Sequence, residues 1–224
     1  MSKKVAALLW ELLFPKRCVY CNGIIGFSAD VMCETCALLI SKVTRPQGLL
    51  IQKYGREMQF LRAAYAPFFY ERPVKNTILR IKFGEFSAGL PNLIARMEAE
   101  WRAGDMPKID CLIAVPSTQK ERKGRNIHLP QTLAKALGAR LEIPLNNDLY
   151  KKRETQHQMS LTGQARRQNV KDAYDVTPAH TLAGKTVLLI DDVLTTGSTL
   201  NECAKALCKA GAAECFALTI AVTK

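Results

Sequence analysis

The stretch VLLIDDVLTTGSTL, Val187 to Leu200, restricts the fold more than any other part of the chain. Val187 to Ile190 is an unbroken apolar run, which suits a strand buried on both faces of a parallel sheet. Asp191 and Asp192 follow at its carboxyl end, where open α/β sheets place their ligand crevices. Thr195-Thr196-Gly197-Ser198-Thr199 is a loop of small residues rich in hydroxyls. Leu200, Cys203, Ala204 and Leu207 then recur at i, i+3, i+4 and i+7, so a helix is predicted, with Gly211 just past its end as the stop. Backbone N–H groups in such a loop and at the helix N-terminus converge on one point, where the helix dipole favours an anion. Two carboxylates beside that point would repel a bare phosphate. They make sense if they accept hydrogen bonds from sugar hydroxyls, or share a divalent cation with further phosphates. The ligand chemistry is that of a phosphorylated sugar.

Hydrophobic strand, acidic pair and TTGST loop, in this order, resemble the 5-phosphoribosyl-1-pyrophosphate (PRPP) motif of type I phosphoribosyltransferases. The plainer reading, a buried strand running into a helix capped by Ser or Thr, is less specific. Gly184-Lys185-Thr186 looks like the end of a Walker A loop, but position 179 is Ala and the triplet precedes its strand.

Four of the eight cysteines form one pattern: Cys18-x2-Cys21, eleven residues, then Cys33-x2-Cys36. Two such pairs can aim four sulfurs at one tetrahedral Zn2+, a closed structural site with no open position for catalysis. Two disulfides are the competing reading, disfavoured in a reducing compartment. Cys111, Cys203, Cys208 and Cys215 lie in apolar contexts and read as small buried hydrophobes.

The chain has 224 residues, 48% of them hydrophobic, enough for a sizeable core. Its net charge of +12 favours an anionic partner: a phosphorylated metabolite, nucleic acid or an acidic membrane surface. No segment approaches the roughly 20 apolar residues of a membrane span. Residues 5–14 are apolar behind two lysines, but Glu11 interrupts the run and no small-residue cleavage site follows. An amphipathic helix and a cytoplasmic protein are expected.

A helix is expected over 37–43 and a linker over 44–58. A strand over 60–70 is broken at Pro67, and helices follow over 73–83, ending at Gly84, and 91–102, closed by Gly104. Cys111 to Val115 reads as a buried strand leading into Pro116-Ser117-Thr118 and a basic loop with Lys120, Arg122, Lys123 and Arg125. A helix over 129–137 should stop at Gly138, with short strands at 140–143 and 147–150. The polar segment 151–176 shows no sustained periodicity, and 216–222 forms a last strand. Alternating strands and helices imply an α/β fold with a parallel sheet and flanking helices.

Several segments together are similar to the ComF family of competence-associated, phosphoribosyltransferase-like proteins. These are LLFPKRCVYC with Cys33-x2-Cys36, Leu79 to Glu85 (LRIKFGE), Ala114-Val115-Pro116, and Thr155, Gln158, Leu161, Arg166, Arg167, Asn169 and Ala173-Tyr174. Where that family usually carries arginine–glycine–phenylalanine–asparagine–glutamine, this chain has Lys123-Gly124-Arg125-Asn126-Ile127.

The resemblance implies a small four-cysteine zinc region and linker over residues 1–58, then a type I phosphoribosyltransferase-like domain over 59–224. It implies that Thr195, Thr196, Gly197, Ser198 and Thr199 hold the 5-phosphate of PRPP, and Asp191 and Asp192 its ribose hydroxyls. Pro116, Ser117 and Thr118 would bind the diphosphate with Mg2+, and Lys120 and Arg122 would stabilise its departure. Arg166 and Arg167 would lie on a closing loop. Transfer of phosphoribose to an acceptor is the leading expectation. The alternatives are a single-stranded-DNA-binding competence accessory working with DNA-uptake proteins, and a non-catalytic PRPP sensor. Arg45, Lys53, Tyr54, Arg56, Phe60, Arg62 and Tyr65 either contact DNA or cover a core edge, the latter being favoured.

Overall fold

The structure is a computed structural model that describes residues 12–25, 31–46, 48, 58–84, 88–104, 107–155, 168–177 and 182–224. The elements in order are α1 (Glu34–Val43), β1 (Ala63–Tyr65), β2 (Phe68–Phe69), α2 (Val74–Phe83), α3 (Leu90–Ala103), β3 (Cys111–Ala114), α4 (Gln119–Arg122), α5 (Leu129–Leu141), β4 (Leu149–Lys151), β5 (Tyr174–Val176), β6 (Thr186–Leu194), α6 (Ser198–Lys209) and β7 (Glu214–Val222). Most of the expected N-terminal helix and linker lies outside the described residues, as do Lys53, Tyr54, Arg56, Gln158, Leu161, Arg166 and Arg167.

The sheet is parallel and runs β1-β7-β6-β3, with β2 also pairing with β7. β6 is central, and Val187 to Ile190 are fully buried, as an apolar run between two covered faces must be. Alternation along the strand divides the core in two. Leu188 and Ile190 join Leu112, Ala114, Phe216 and Leu218 beneath α2, α3 and α5. Val187 and Leu189 join Cys111, Ile113, Cys215 and Ala217 against α6 and the β4–β5 pair. The type I phosphoribosyltransferase-like α/β fold read from the sequence is the fold observed.

Three local expectations need correction. α5 does not stop at Gly138 but runs to Leu141, and Glu142 in the left-handed region closes it. Gly138 lies inside the helix, where a Cβ would stand 2.9 Å from the Ile143 carbonyl oxygen; it is glycine for close approach, not for termination. The expected strand at 140–143 is therefore absent, its first residues being helical. The expected strand at 147–150 forms as Leu149–Lys151, and it pairs antiparallel with β5 at the far end of the polar segment, where no strand is expected.

The N-terminal cysteine region docks on α2. The Tyr20 carbonyl accepts from Thr77 Oγ1 at 3.0 Å and Arg80 Nη1 at 2.7 Å. Cys18, Tyr20, Cys36, Ile40 and Val43 share one apolar cluster with the α2–α3 face of the sheet. Arg45 and Tyr65 are buried, and Arg45 donates to the Ala66 carbonyl, so both belong to the core edge rather than to a nucleic-acid surface.

Candidate functional site

β3 pairs with β6 only as far as Ala114 and Ile190. Among the described residues β6 continues to Leu194 alongside β7 alone, so Asp191 and Asp192 sit within the strand and not after it, on an edge that β3 leaves open. Strand alternation sends the two carboxylates to opposite faces. Asp192 points toward the α2 side and forms an ion pair with Lys82 from the last turn of that helix. Asp191 lies on the face of β4 and α6, where it adds to the field on Tyr174 and Cys203, and its Oδ1 accepts the Asp192 N–H at 2.8 Å. Burial pushes Asp191 up to about 7, against the pull of Lys82, Arg125 and Lys151. Burial likewise brings Lys82 down to about 8, Asp191 opposing and Arg125 adding to the fall.

The loop after β6 turns at Gly197, whose φ of 76° only glycine adopts freely. Gly197, the N-cap of α6, has no side chain to offer; Thr196 Oγ1 accepts the Ser198 N–H at 3.4 Å, and the Thr196 and Ser198 hydroxyls face one another at 2.9 Å. Ser198 is buried, while Thr195, Thr196 and Thr199 are partly exposed. A helix N-terminus led by glycine and ringed by hydroxyls suits a phosphate.

Pro116, Ser117 and Thr118 follow β3 as expected, but they are not equivalent. The Ser117 hydroxyl is buried without a partner among the described residues. Thr118 is committed elsewhere. Its hydroxyl and N–H form a capping box with Glu121, and the hydroxyl also donates to Glu154 at 2.8 Å. Lys120 and Arg122 are exposed. They line an open depression of about 630 Å3 with Gln119 and Lys123. A second cleft of about 560 Å3 runs from Pro116–Thr118 and Arg122 to Leu149–Glu154.

Three participants escape a reading of the sequence. Lys82 is visible there only as part of a lysine–aromatic–glycine turn. The Lys151 side chain is 3% exposed, pairs with Glu121 at 2.5 Å and lies 5.6 Å from the Tyr174 ring centre, tying the loop after β3 to the β4–β5 pair. His128, just before α5, has a buried Nε2 without a partner among the described residues. Burial lowers its pKa, helped by Arg122, Arg125 and Lys82 and opposed by Glu121. These contacts join residues far apart in sequence, so only the Lys82 turn leaves a local signal. The departure at 125 and 127 also resolves: Ile127 packs on the core, and Arg125 contributes positive field to Asp191 and Lys82.

The four N-terminal cysteines come together, with all their sulfurs within 4.8 Å of one another. The Cys21 and Cys33 sulfurs are 3.7 Å apart, and metal–sulfur bonds of about 2.3 Å in a tetrahedron require about 3.8 Å. Gly23 N–H points at Cys21 Sγ and Cys36 N–H at Cys33 Sγ, each at 3.4 Å, as in a metal knuckle. Burial raises the Cys18 thiol, but nearby backbone N–H groups outweigh it and bring the value down to about 7. The donor set and spacing fit zinc. The acidic pair is a poor match for a second metal, because its carboxylates diverge and one is taken by Lys82.

A model of the phosphoribosyl transferase domain family matches residues 131–224, which contain β6, its loop and α6. Competence protein F of Haemophilus influenzae is 26% identical over 223 residues, covering 90% of this chain and 94% of that protein. DNA utilization protein YhgH of Escherichia coli K12 is 27% identical over 188 residues, covering 81% and 80%. These relatives support the resemblance to the ComF family. Among solved structures, a purine phosphoribosyltransferase from Pyrococcus horikoshii aligns with 57% of this chain and 68% of its own at 21% identity and a TM-score of 0.36. Among the described residues, no helix is long and apolar enough to cross a membrane.

Proposed function

We infer that this ComF-type chain binds PRPP at the carboxyl end of β6 and transfers its phosphoribosyl group to an acceptor during DNA uptake or utilization. The observation that carries this reading is the glycine-led, hydroxyl-lined start of α6 behind Gly197, beside two aspartates on an open strand edge. Thr195, Thr196, Gly197, Ser198 and Thr199 would hold the 5-phosphate through backbone N–H groups and hydroxyls. Asp191 and Asp192 would accept hydrogen bonds from the ribose hydroxyls. The bond from the anomeric carbon to the diphosphate oxygen breaks with its electron pair staying on oxygen, and an acceptor lone pair forms the new bond. Charge grows on the diphosphate, and Lys120 and Arg122 border the depression where it would leave. The unpartnered Ser117 hydroxyl supports the loop after β3 as the diphosphate side, with Pro116 and Thr118 shaping it. Magnesium enters this reading as a counter-ion carried by the diphosphate, not one seated on the aspartates. Zn2+ on Cys18, Cys21, Cys33 and Cys36 would cross-link the N-terminal region. We set the boundary between that region and the transferase-like domain at residue 58.

Isothermal titration with PRPP and Mg2+ tests the site: wild type should release or absorb heat, and Asp191→Asn/Asp192→Asn should bind at least tenfold more weakly. No heat from wild type, or equal affinity in the double variant, refutes the assignment. Diphosphate release across a panel of nucleobases and amines separates a transferase from a PRPP sensor.

A second reading, single-stranded DNA binding, draws on the named roles of the relatives and on the net charge of +12. Exposed Lys120, Arg122 and Lys123, with Lys152 and Arg153 across the second cleft, would form the basic surface. Binding by that surface must weaken steeply as salt rises; salt-independent binding excludes it.

A further inference from the structure

The acidic pair presents an electrostatic problem that Lys82 answers. Two carboxylates within a strand that ends at a phosphate loop would oppose a dianionic ligand unless something neutralises them. Lys82 reaches Asp192 from the α2 layer, with side chains 17% and 13% exposed. A lysine in the last turn of a helix could as easily extend into water beside the helix carbonyls, where the dipole favours it. Here it is turned inward. Arg125 adds positive field to both Asp191 and Lys82, while Lys151, the other cation near Asp191, is already compensated by Glu121. Lys82 therefore offsets Asp192 directly, and Arg125 adds positive field beside Asp191.

The placement of Lys82 is built in. The Asn126 N–H donates to the Lys82 carbonyl at 3.3 Å, and Gly84, at φ 75°, lies against the Asn126 side chain. The turn after α2 and the loop before α5 thus hold each other, fixing Lys82 and Arg125 on the same side of β6.

Building on the PRPP reading above, we propose that Lys82 is a ligand-contacting residue of this site, an internal counter-ion of the Asp191–Asp192 pair that makes recognition of a ribose 5-phosphate independent of divalent cations. Its ammonium bridges the carboxylate and a sugar hydroxyl oxygen, the role a metal would fill between diverging acids.

Ribose 5-phosphate, which lacks the diphosphate and its metal, is the probe. Calorimetric titration of the zinc-replete full chain is run in Mg2+ buffer and in chelator-free buffer prepared without divalent cations. Wild type should bind with affinities within threefold of each other in the two buffers. Lys82→Met should lose at least tenfold without Mg2+ and recover at least half of that loss, on a logarithmic scale, when Mg2+ is added; Lys82→Arg should lose less. Lys82→Met/Asp192→Asn removes both charges, so it keeps the fold if the single variant does not, and it should bind weakly without Mg2+ rescue. Wild-type binding that requires Mg2+, or a Lys82→Met affinity equal to wild type, overturns the proposal while leaving the PRPP site standing. Absence of ribose 5-phosphate and PRPP binding in every buffer removes both.

Discussion

Gly84 ends α2 in the left-handed region, and a Cβ there would run into the Asn126 side-chain nitrogen. Gly84→Ala therefore meets two costs, backbone strain of about 1–2 kcal/mol and displacement of Asn126. It should lower unfolding free energy by roughly 2–3 kcal/mol, read as a shifted urea midpoint at unchanged slope. An unshifted midpoint would show that the Gly84–Asn126 contact does not hold the loop. Gly124 provides the contrast: its φ is 79°, but nothing lies within 4 Å of a Cβ, so alanine there meets strain alone. At Gly197 the obstacle is the Met58 thioether at 2.9 Å, a flexible group that can give way. The sequence marks all three glycines as turn or loop residues. It cannot show which of them touch a distant neighbour, because contact between Gly84 and Asn126 has no local pattern.

At the scale of elements, legibility follows periodicity. β6, α6, α2, α3 and β7 are readable because each carries a clear apolar run or a 3.6-residue repeat bounded by Gly or Pro. The end of α5 is not, since Gly138 looks like a stop and serves as a packing gap. β4 is readable to within a residue or so, but its partner β5 is not. Each spans three residues of mixed polarity, with Lys151 turned inward onto Glu121 and Tyr174. In the candidate site, the Thr195–Thr199 loop is legible as a turn into a helix and the charged groups around the acidic pair are not: Lys82, Lys151 and His128 arrive from other elements. The cysteine knuckles are readable by spacing, and their docking on α2 makes them more than an appendage. Cys36→Ala should reduce zinc from one per chain to well below it and destabilise the protein by on the order of 3 kcal/mol, because Cys36 is also core. Metal analysis and thermal unfolding check this; full zinc occupancy in the variant would mean that Cys36 is not a ligand.

Over the whole molecule, one line of contact runs from the cysteine region to the open strand edge. The Tyr20 carbonyl binds Thr77 and Arg80 of α2, and the same helix delivers Lys82 to Asp192. The N-terminal region thus supports the layer that carries Lys82, and on the proposed reading removing zinc should lower both stability and the affinity for ribose 5-phosphate measured by calorimetry. Positive charge is concentrated on the other side of the loop after β3, around Lys120, Arg122, Lys123, Lys152 and Arg153. A ligand carrying phosphate at one end and diphosphate at the other would span from the α6 start to that basic surface. The measurement that tests this most directly is amide NMR of the 15N-labelled chain titrated with PRPP. The account predicts saturable shifts at Thr196 to Thr199, Asp191, Asp192 and Ser117, with those at Thr196 to Thr199 reproduced by ribose 5-phosphate. Shifts confined to other surfaces, or none at saturating PRPP, would contradict it.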